Sequence, residues 1–307
     1  MKEGMRADLH LHSLWSDGKY PPRELARMAK AAGLQLFAVT DHDTMGGCED
    51  GAEAARACGL HFVRGWEISA YLGMAKVHVL GYGCRADEAY EAFLRDRFDA
   101  ARERAQESLE LANAYLGLDV TMDEVEAYHV RKEAPIHTMH VVRAFAKRLS
   151  REEGELYTDV FAFGAPAFTV LSRPSPQEAV EIIRKTGGIS VLAHPGRLFD
   201  FTPEEYRVYR GTADERVRAS LLALNAERRL RLIDDLTERG LGGIECHYTT
   251  YTAIETEEFL GIAAERGLLV TGGSDFHAEG TQSVLGLPAF YAGRALTDVL
   301  LRLEGSV

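Results

Sequence analysis

Short strand-like segments recur along this chain with helices between them, and side chains able to bind a metal fall repeatedly where those segments end. Residues 6–12 set the pattern. Ala7, Leu9 and Leu11 alternate with Asp8, His10 and His12, the period-2 signature of a strand. Pro21-Pro22 then opens a helix whose apolar period runs through Leu25, Met28, Ala29 and Ala32 and stops at Gly33. Further strands are predicted at 36–40, 60–64 and 76–82, with a helix at 49–58. After residue 87 the pattern changes to long charged helices, at 88–115, 121–130 and 138–152. Alternation resumes near residue 176, with strands at 188–193, 243–246 and 268–271 and helices ending at Lys185 and spanning 214–239 and 255–266. Such alternation implies an α/β protein with a parallel sheet, most economically closed into a barrel. The expected division is a barrel domain of residues 6–87 and 166–307 and a helical insertion of residues 88–165.

The residues at the strand ends are His10 and His12, Asp41 and His42, Glu67, His78, His194, Glu245 and His247, and Asp275 and His277. Seven of the 11 histidines lie there. Parallel α/β folds build their sites at the carboxyl ends of strands, whereas scattered core histidines would not keep to one end. Two imidazoles at i and i+2 share a strand face and can bind one ion at roughly 2.0–2.2 Å. Asp275-Phe276-His277 repeats the spacing of His10-Leu11-His12, after Gly272-Gly273-Ser274. Asp17 and Glu67 add oxygen donors, and nitrogen with oxygen but no thiolate suits Mn²⁺, Zn²⁺ or Fe²⁺. With roughly four to six ligands per ion, this many donors implies two or three metals.

In sequence order, Asp8-Leu9-His10-Leu11-His12-Ser13, Ser16-Asp17-Gly18, Val39-Thr40-Asp41-His42-Asp43, Ala193-His194-Pro195-Gly196-Arg197 and Gly273-Ser274-Asp275-Phe276-His277 resemble the PHP (polymerase and histidinol phosphatase) superfamily. The resemblance covers residues 7 to about 288. Its nearest branch contains nucleoside 3',5'-bisphosphate phosphatases and an RNA 5'-end exonuclease. It implies a distorted (β/α)7 barrel of TIM-like type with a trinuclear centre that hydrolyses phosphate esters by a metal-bound hydroxide, Mn²⁺ being the first choice of metal. Carried over, His10, His12, Glu67 and Asp275 would hold one ion, and Glu67, His78 and His194 a second, with Glu67 bridging. Asp17, His42 and His277 would hold the third, and Asp41 would support a ligand from behind.

Two family features are altered. An Arg-Pro-His segment usual in the insertion is replaced by Thr138-Met139-His140, followed by Arg143, and Thr281-Gln282 stands where Lys-Pro often follows the last motif. Each change removes a cation from reach of phosphate.

The expected catalytic groups are Glu67, Arg197 as a two-pronged phosphate clamp, and His247 as proton donor or leaving-group contact, with Glu245 on the same strand face. In the insertion, Arg131, Lys132, His137, His140 and Arg143 are candidates for a lid over a nucleotide, or simply a solvated helix face; His140 and Arg143 are the expected substrate contacts. His61 and His129 read as ordinary strand or surface histidines, and Trp15 and Trp66 as packing beside the ligands.

Competing readings are a histidinol-phosphatase-like enzyme, a metal-dependent amidohydrolase and a noncatalytic scaffold. Many binuclear amidohydrolases bridge with a carboxylated lysine, whereas here the bridging position is Glu67. A degenerate scaffold should have lost ligands, and all nine positions retain able side chains. A net charge of −12 argues against nonspecific nucleic-acid binding, although metal ions can dominate the field inside a pocket. The expected partner is thus a small phosphorylated molecule, a nucleotide or a short RNA, with no membrane and no obligate protein partner. Four cysteines without a CxxC pair, and no apolar leader in residues 1–6, suggest a cytoplasmic protein.

Overall fold

A computed structural model describes residues 4–170, 174–281 and 283–305; Gln282, one of the altered family positions, lies outside the described residues. The first half of the barrel is β1 (Met5–Asp8), α1 (Pro22–Ala31), β2 (Leu36–Val39), α2 (Cys48–Cys58), β3 (His61–Leu72) and β4 (Ala75–Tyr82). Helices α3 (Glu88–Leu116), α4 (Met122–Glu126), α5 (Thr138–Leu149) and α6 (Glu153–Leu156) follow, the last running into a π-helical turn at Tyr157–Phe161. The second half is α7 (Pro176–Lys185), β5 (Ile189–Leu192), α8 (Pro203–Gly211), α9 (Glu215–Glu238), β6 (Gly243–Tyr248), α10 (Ala253–Arg266), β7 (Leu269–Gly273), β8 (Phe290–Ala292) and α11 (Arg294–Glu304).

The strands form one sheet in the order β7-β6-β5-β4-β3-β2-β1-β8. It nearly closes where the Leu9 N–H donates to the Gly272 carbonyl (3.1 Å) and Leu11 bridges Phe276 in parallel. Alternation along the strands divides the core. Leu36 and Ala38 join a cluster that Leu296 and Leu300 of α11 complete, while Phe37 and Val39 pack with Leu25, Ala29 and Ala52 of the surrounding helices. Each such buried leucine, valine or phenylalanine side chain contributes roughly 1.5–3 kcal/mol.

An all-parallel sheet is not what forms. β1–β2, β2–β3, β5–β6 and β6–β7 are parallel, but β4 runs antiparallel to both β3 and β5, and β8 antiparallel to β1. The cause is the connection: β3 turns into β4 at Gly73, whose φ of +58° suits a tight turn, and a hairpin cannot join parallel strands. β3 is accordingly longer than the predicted 60–64. Glu67 and His78 lie within their strands rather than at the ends, with His78 opposite Ser69.

The helices after β4 pack around a separate apolar cluster that includes Leu109, Val125, Val142, Phe145, Leu156 and Phe161 and extends to Ala167. Their ends carry ordinary stop and start signals. Asp87 caps α3 by accepting from the Ala89 and Tyr90 N–H groups, Thr121 and Glu124 form a capping box, and Gly117 ends α3 in the left-handed conformation.

Candidate metal centre

Glu67 is fully buried in the middle of β3, and both its carboxylate oxygens face imidazole nitrogens. Oε1 is 3.0 Å from His78 Nδ1 and 3.3 Å from both His10 Nε2 and His194 Nε2; Oε2 is 3.0 Å from His42 Nδ1 and 3.4 Å from His12 Nε2. Burial alone would raise its pKa, but His78, His10 and His42 hold the carboxyl well below its usual range. Asp275 Oδ1 lies 3.1 Å from His12 Nε2 and 3.4 Å from His10 Nε2. Asp17 divides its oxygens: Oδ1 is 3.2 Å from His277 Nε2, and Oδ2 is 3.9 Å from His42 Nε2.

All nine expected ligands converge. They fall into overlapping groups whose ligand atoms lie within 4.8 Å of one another: His12, Asp17, His42 and His277; His10, Glu67 and His194; His10, His12 and Asp275; and His42, Glu67 and His78. The donor set fits divalent ions. His10 Nε2, both nitrogens of His12, His42 Nδ1, His78 Nε2 and both oxygens of Glu67 are sealed from water without a hydrogen-bond partner, an arrangement stable only if cations or protons lie between them. His277 Nδ1 donates to the Asp275 carbonyl (2.9 Å), so Nε2 and Asp17 Oδ1 need a positive charge between them. In the metal-free protein that charge is a proton: burial opposes it, but Asp17 and Asp275 push His277 up to about 10. None of the grouped donors is a thiol. Burial pushes the Cys246 thiol, next to Glu245, up to about 12.

Local backbone accounts for this convergence. Two of the expected ligands, His194 (φ 25°) and Asp275 (φ 53°), sit in the left-handed region that non-glycine residues avoid, a strain that persists only where surrounding contacts hold it. The His194 N–H donates to Glu245 Oε2 (2.8 Å), and the Tyr248 hydroxyl donates to Asp275 Oδ2 (2.9 Å). Close approach does the rest. A Cβ on Gly273 would stand 2.4 Å from that of His10, and one on Gly18 would meet the His12 carbonyl oxygen at 2.2 Å.

Behind the ligands stand three buried carboxylates. Asp41 accepts from the Ser13 N–H and from the Ser13 and Ser16 hydroxyls, each at 2.7 Å, so it fixes the loop carrying His12 and Asp17. Asp8 accepts from the Ser274 (2.9 Å) and Gly286 (2.7 Å) N–H groups. Glu245 accepts from His10 Nδ1 (3.1 Å), which leaves His10 Nε2 free to ligate. A bulge between Glu245 and His247 breaks the strand's alternation, which period-2 counting from the sequence does not show. Glu245 and Tyr248 therefore face the ligands, and His247 lies against the Phe290 ring at 5.3 Å.

The expected phosphate contacts are tied elsewhere. Arg197 Nε donates to Thr250 Oγ1 (2.7 Å) and Nη1 to Glu255 Oε1 (2.9 Å), and the guanidinium lies over Tyr251. His140 Nε2 reaches the Ser16 carbonyl (3.1 Å), and Arg143 Nη2 donates to the Asp17 carbonyl (2.6 Å). Both thus grip the backbone of a ligand loop. His129 is buried rather than superficial, and its Nε2 meets the Ala134 carbonyl, whereas His61 is exposed. Trp66 packs edge-on against Tyr90 and Phe93, as a rigid wall beside Glu67 would. Arg97, from α3, bonds Asp43 Oδ2 (2.8 Å) and the Ser69 carbonyl (2.9 Å), next to His42.

A barrel that buries facing imidazoles and carboxylates at one end is the framework of a metal-dependent hydrolase. The PHP domain matches residues 8–91. The chain is 30% identical over 277 residues to the 3',5'-nucleoside bisphosphate phosphatase of Chromobacterium violaceum, covering 89% of this chain and 87% of that protein. It is 27% identical over 280 residues to a phosphoribosyl 1,2-cyclic phosphate 1,2-diphosphodiesterase of Eggerthella lenta, covering 90% and 95%. A solved structure described as a metal-dependent phosphoesterase of Bifidobacterium adolescentis superposes with a TM-score of 0.77 at 25% identity, over 97% of this chain and 96% of that one. The chain belongs to the PHP family and is a metal-dependent phosphoesterase. Among the described residues, no helix is long and apolar enough to cross a membrane.

Proposed function

We propose that this protein hydrolyses a phosphate ester on a nucleotide-sized substrate, a 5'-nucleotide, a nucleoside 3',5'-bisphosphate or a short oligonucleotide, with two to three divalent ions. The observation that carries this reading is Glu67, whose two oxygens stand 3.0–3.4 Å from five imidazoles on different strands and loops. The proposed holders are His10, His12, Glu67 and Asp275 for one ion, Glu67, His78 and His194 for a second, and Asp17, His42 and His277 for a third. Bound there, Mn²⁺, or Zn²⁺ or Fe²⁺ in its place, supplies charge to phosphoryl oxygens and lowers the pKa of water toward neutrality.

The chain's own part is orientation. Glu245 fixes the tautomer of His10, Tyr248 occupies Asp275 Oδ2 so that Oδ1 faces His10 and His12, and Asp41 holds the Ser13–Ser16 loop. The helical insertion, residues 88–165, caps the site from one side. The similarity to a nucleoside bisphosphate phosphatase supports the nucleotide reading.

The test is phosphate release by Mn²⁺-loaded protein from 5'-AMP, adenosine 3',5'-bisphosphate, histidinol phosphate, a cyclic phosphodiester and a short 5'-phosphorylated RNA. Chelator-sensitive turnover of a nucleotide is expected, and Glu67→Gln is expected to lose metal and activity together. Silence across the panel with metal bound would overturn the substrate reading. Full metal content in Glu67→Gln would overturn the bridging role.

A further inference from the structure

The cations that the insertion offers toward the site are already engaged. Arg131 lies over the Trp15 ring (4.7 Å), Lys132 pairs with Glu126, Arg104 donates to the Tyr71 hydroxyl, and Arg143 spans Glu153 and the Asp17 carbonyl. With Arg197 tied to Thr250 and Glu255, a phosphoester at this centre needs other donors for the oxygens turned away from the metals.

His137 is placed for that. It stands just before α5, its ring lies parallel to that of His42 (centroids 4.7 Å apart, planes 3° apart), and its Nδ1 is 3.2 Å from Asp17 Oδ2. With Asp17 Oδ2 turned to a bound cation, Nδ1 accepts the Met139 N–H (3.3 Å) as the cap of α5, and the proton of the neutral ring then sits on Nε2. His137 is 7% exposed, and Nε2 is sealed from solvent with no hydrogen-bond partner among the described residues. A buried N–H without an acceptor is destabilising, so its presence beside the ligands marks a place for one.

A second donor stands nearby. Lys76 is two residues before His78 on β4 and therefore on the same strand face. Across the hairpin it stands opposite Tyr71, whose hydroxyl accepts from Arg104 of the insertion, and it carries no ion pair among the described residues.

We propose that the His137 Nε2–H and the Lys76 ammonium bind the phosphoryl oxygens of the substrate, one from the insertion and one from the β3–β4 hairpin. This inference rests on the phosphoesterase reading of the same centre. It gives the insertion a direct polar contact at a different position from the Thr138-Met139-His140 stretch.

Two variants test it. His137→Asn keeps a side chain able to cap α5 but removes the Nε2 donor, and Lys76→Met keeps the length of a half-buried stem without its charge. Metal per chain would be measured by elemental analysis, binding of inorganic phosphate to the Mn²⁺-loaded protein by calorimetry, and kcat and KM on the best ester of the panel. The expected result in each variant is unchanged metal content, a phosphate Kd raised about tenfold and KM raised in parallel. Wild-type phosphate affinity in both variants would overturn the proposal. Loss of one ion per chain in His137→Asn would overturn it too, making His137 a metal ligand. If wild-type protein neither binds phosphate nor cleaves any ester, the phosphoesterase substrate reading falls first and this inference with it.

Discussion

Glu245 never faces solvent, and it settles the protonation of a residue it only touches. By accepting from His10 Nδ1 and from the His194 N–H, it orders two of the candidate ligands with one carboxylate. Replacing it with alanine should leave His10 free to change tautomer and release the strained backbone at His194. We expect Glu245→Ala to weaken metal binding by about 10–100-fold while the fold persists, as read by metal titration and circular dichroism. That the nine candidate ligands come together at one place was legible because imidazoles and carboxylates recurring near strand ends are rare by chance. Glu245 and Tyr248 were harder to read for a definite reason: the bulge before His247 reverses which side chains face inward, and period-2 counting carries no trace of a bulge. The hold of His140 and Arg143 on the Ser16 and Asp17 carbonyls was not legible, since a cation near a phosphate site and a cation on a backbone carbonyl look alike in sequence.

Among the contacts of helix α3 with the barrel is a buried ion pair. Arg97 is 3% exposed and meets Asp43 Oδ2 at 2.8 Å, while the Ser69 N–H donates to the other oxygen of Asp43. Removing the guanidinium strands a buried carboxylate beside His42. Arg97→Ala should cost about 3–5 kcal/mol in chemical denaturation, far more than loss of an exposed pair such as Arg27–Glu24 at about 0–1 kcal/mol. Most helices were legible from their caps and apolar periods. The direction of β4 was not, because an isolated strand has the same pattern whichever way it runs, and only the Gly73 turn decides it. The short β8 was not legible, because three residues are too few to show alternation.

The whole molecule gathers its least soluble charges at one end of a barrel. Six carboxylates, Asp8, Asp17, Asp41, Glu67, Glu245 and Asp275, and the six imidazoles of the candidate centre are buried or half-buried there, with several of their oxygens and nitrogens lacking hydrogen-bond partners. Divalent ions bind this arrangement only when it is folded, so they should stabilise it by mass action. At a hundred times Kd the gain is about 2.7 kcal/mol, and chelation should lower Tm by about 5 °C at roughly 2 °C per kcal/mol. A thermal melt with and without chelator checks this, and an unchanged Tm would mean that the centre is already satisfied by protons. The barrel itself was legible as an α/β alternation, but its closure through Leu9, Leu11, Gly272 and Phe276 depends on contacts between the two ends of the chain, which no local pattern reveals.

The hold of α5 on the Ser16 and Asp17 carbonyls restricts how such a protein can be rebuilt. A helix that steadies a ligand loop cannot swing clear of the entrance without disturbing the ligand, so traffic of substrate and product has to use another edge of the opening. Exchanging this helical segment for that of a relative would therefore alter the metal chemistry together with the range of substrates, and the two could not be varied separately.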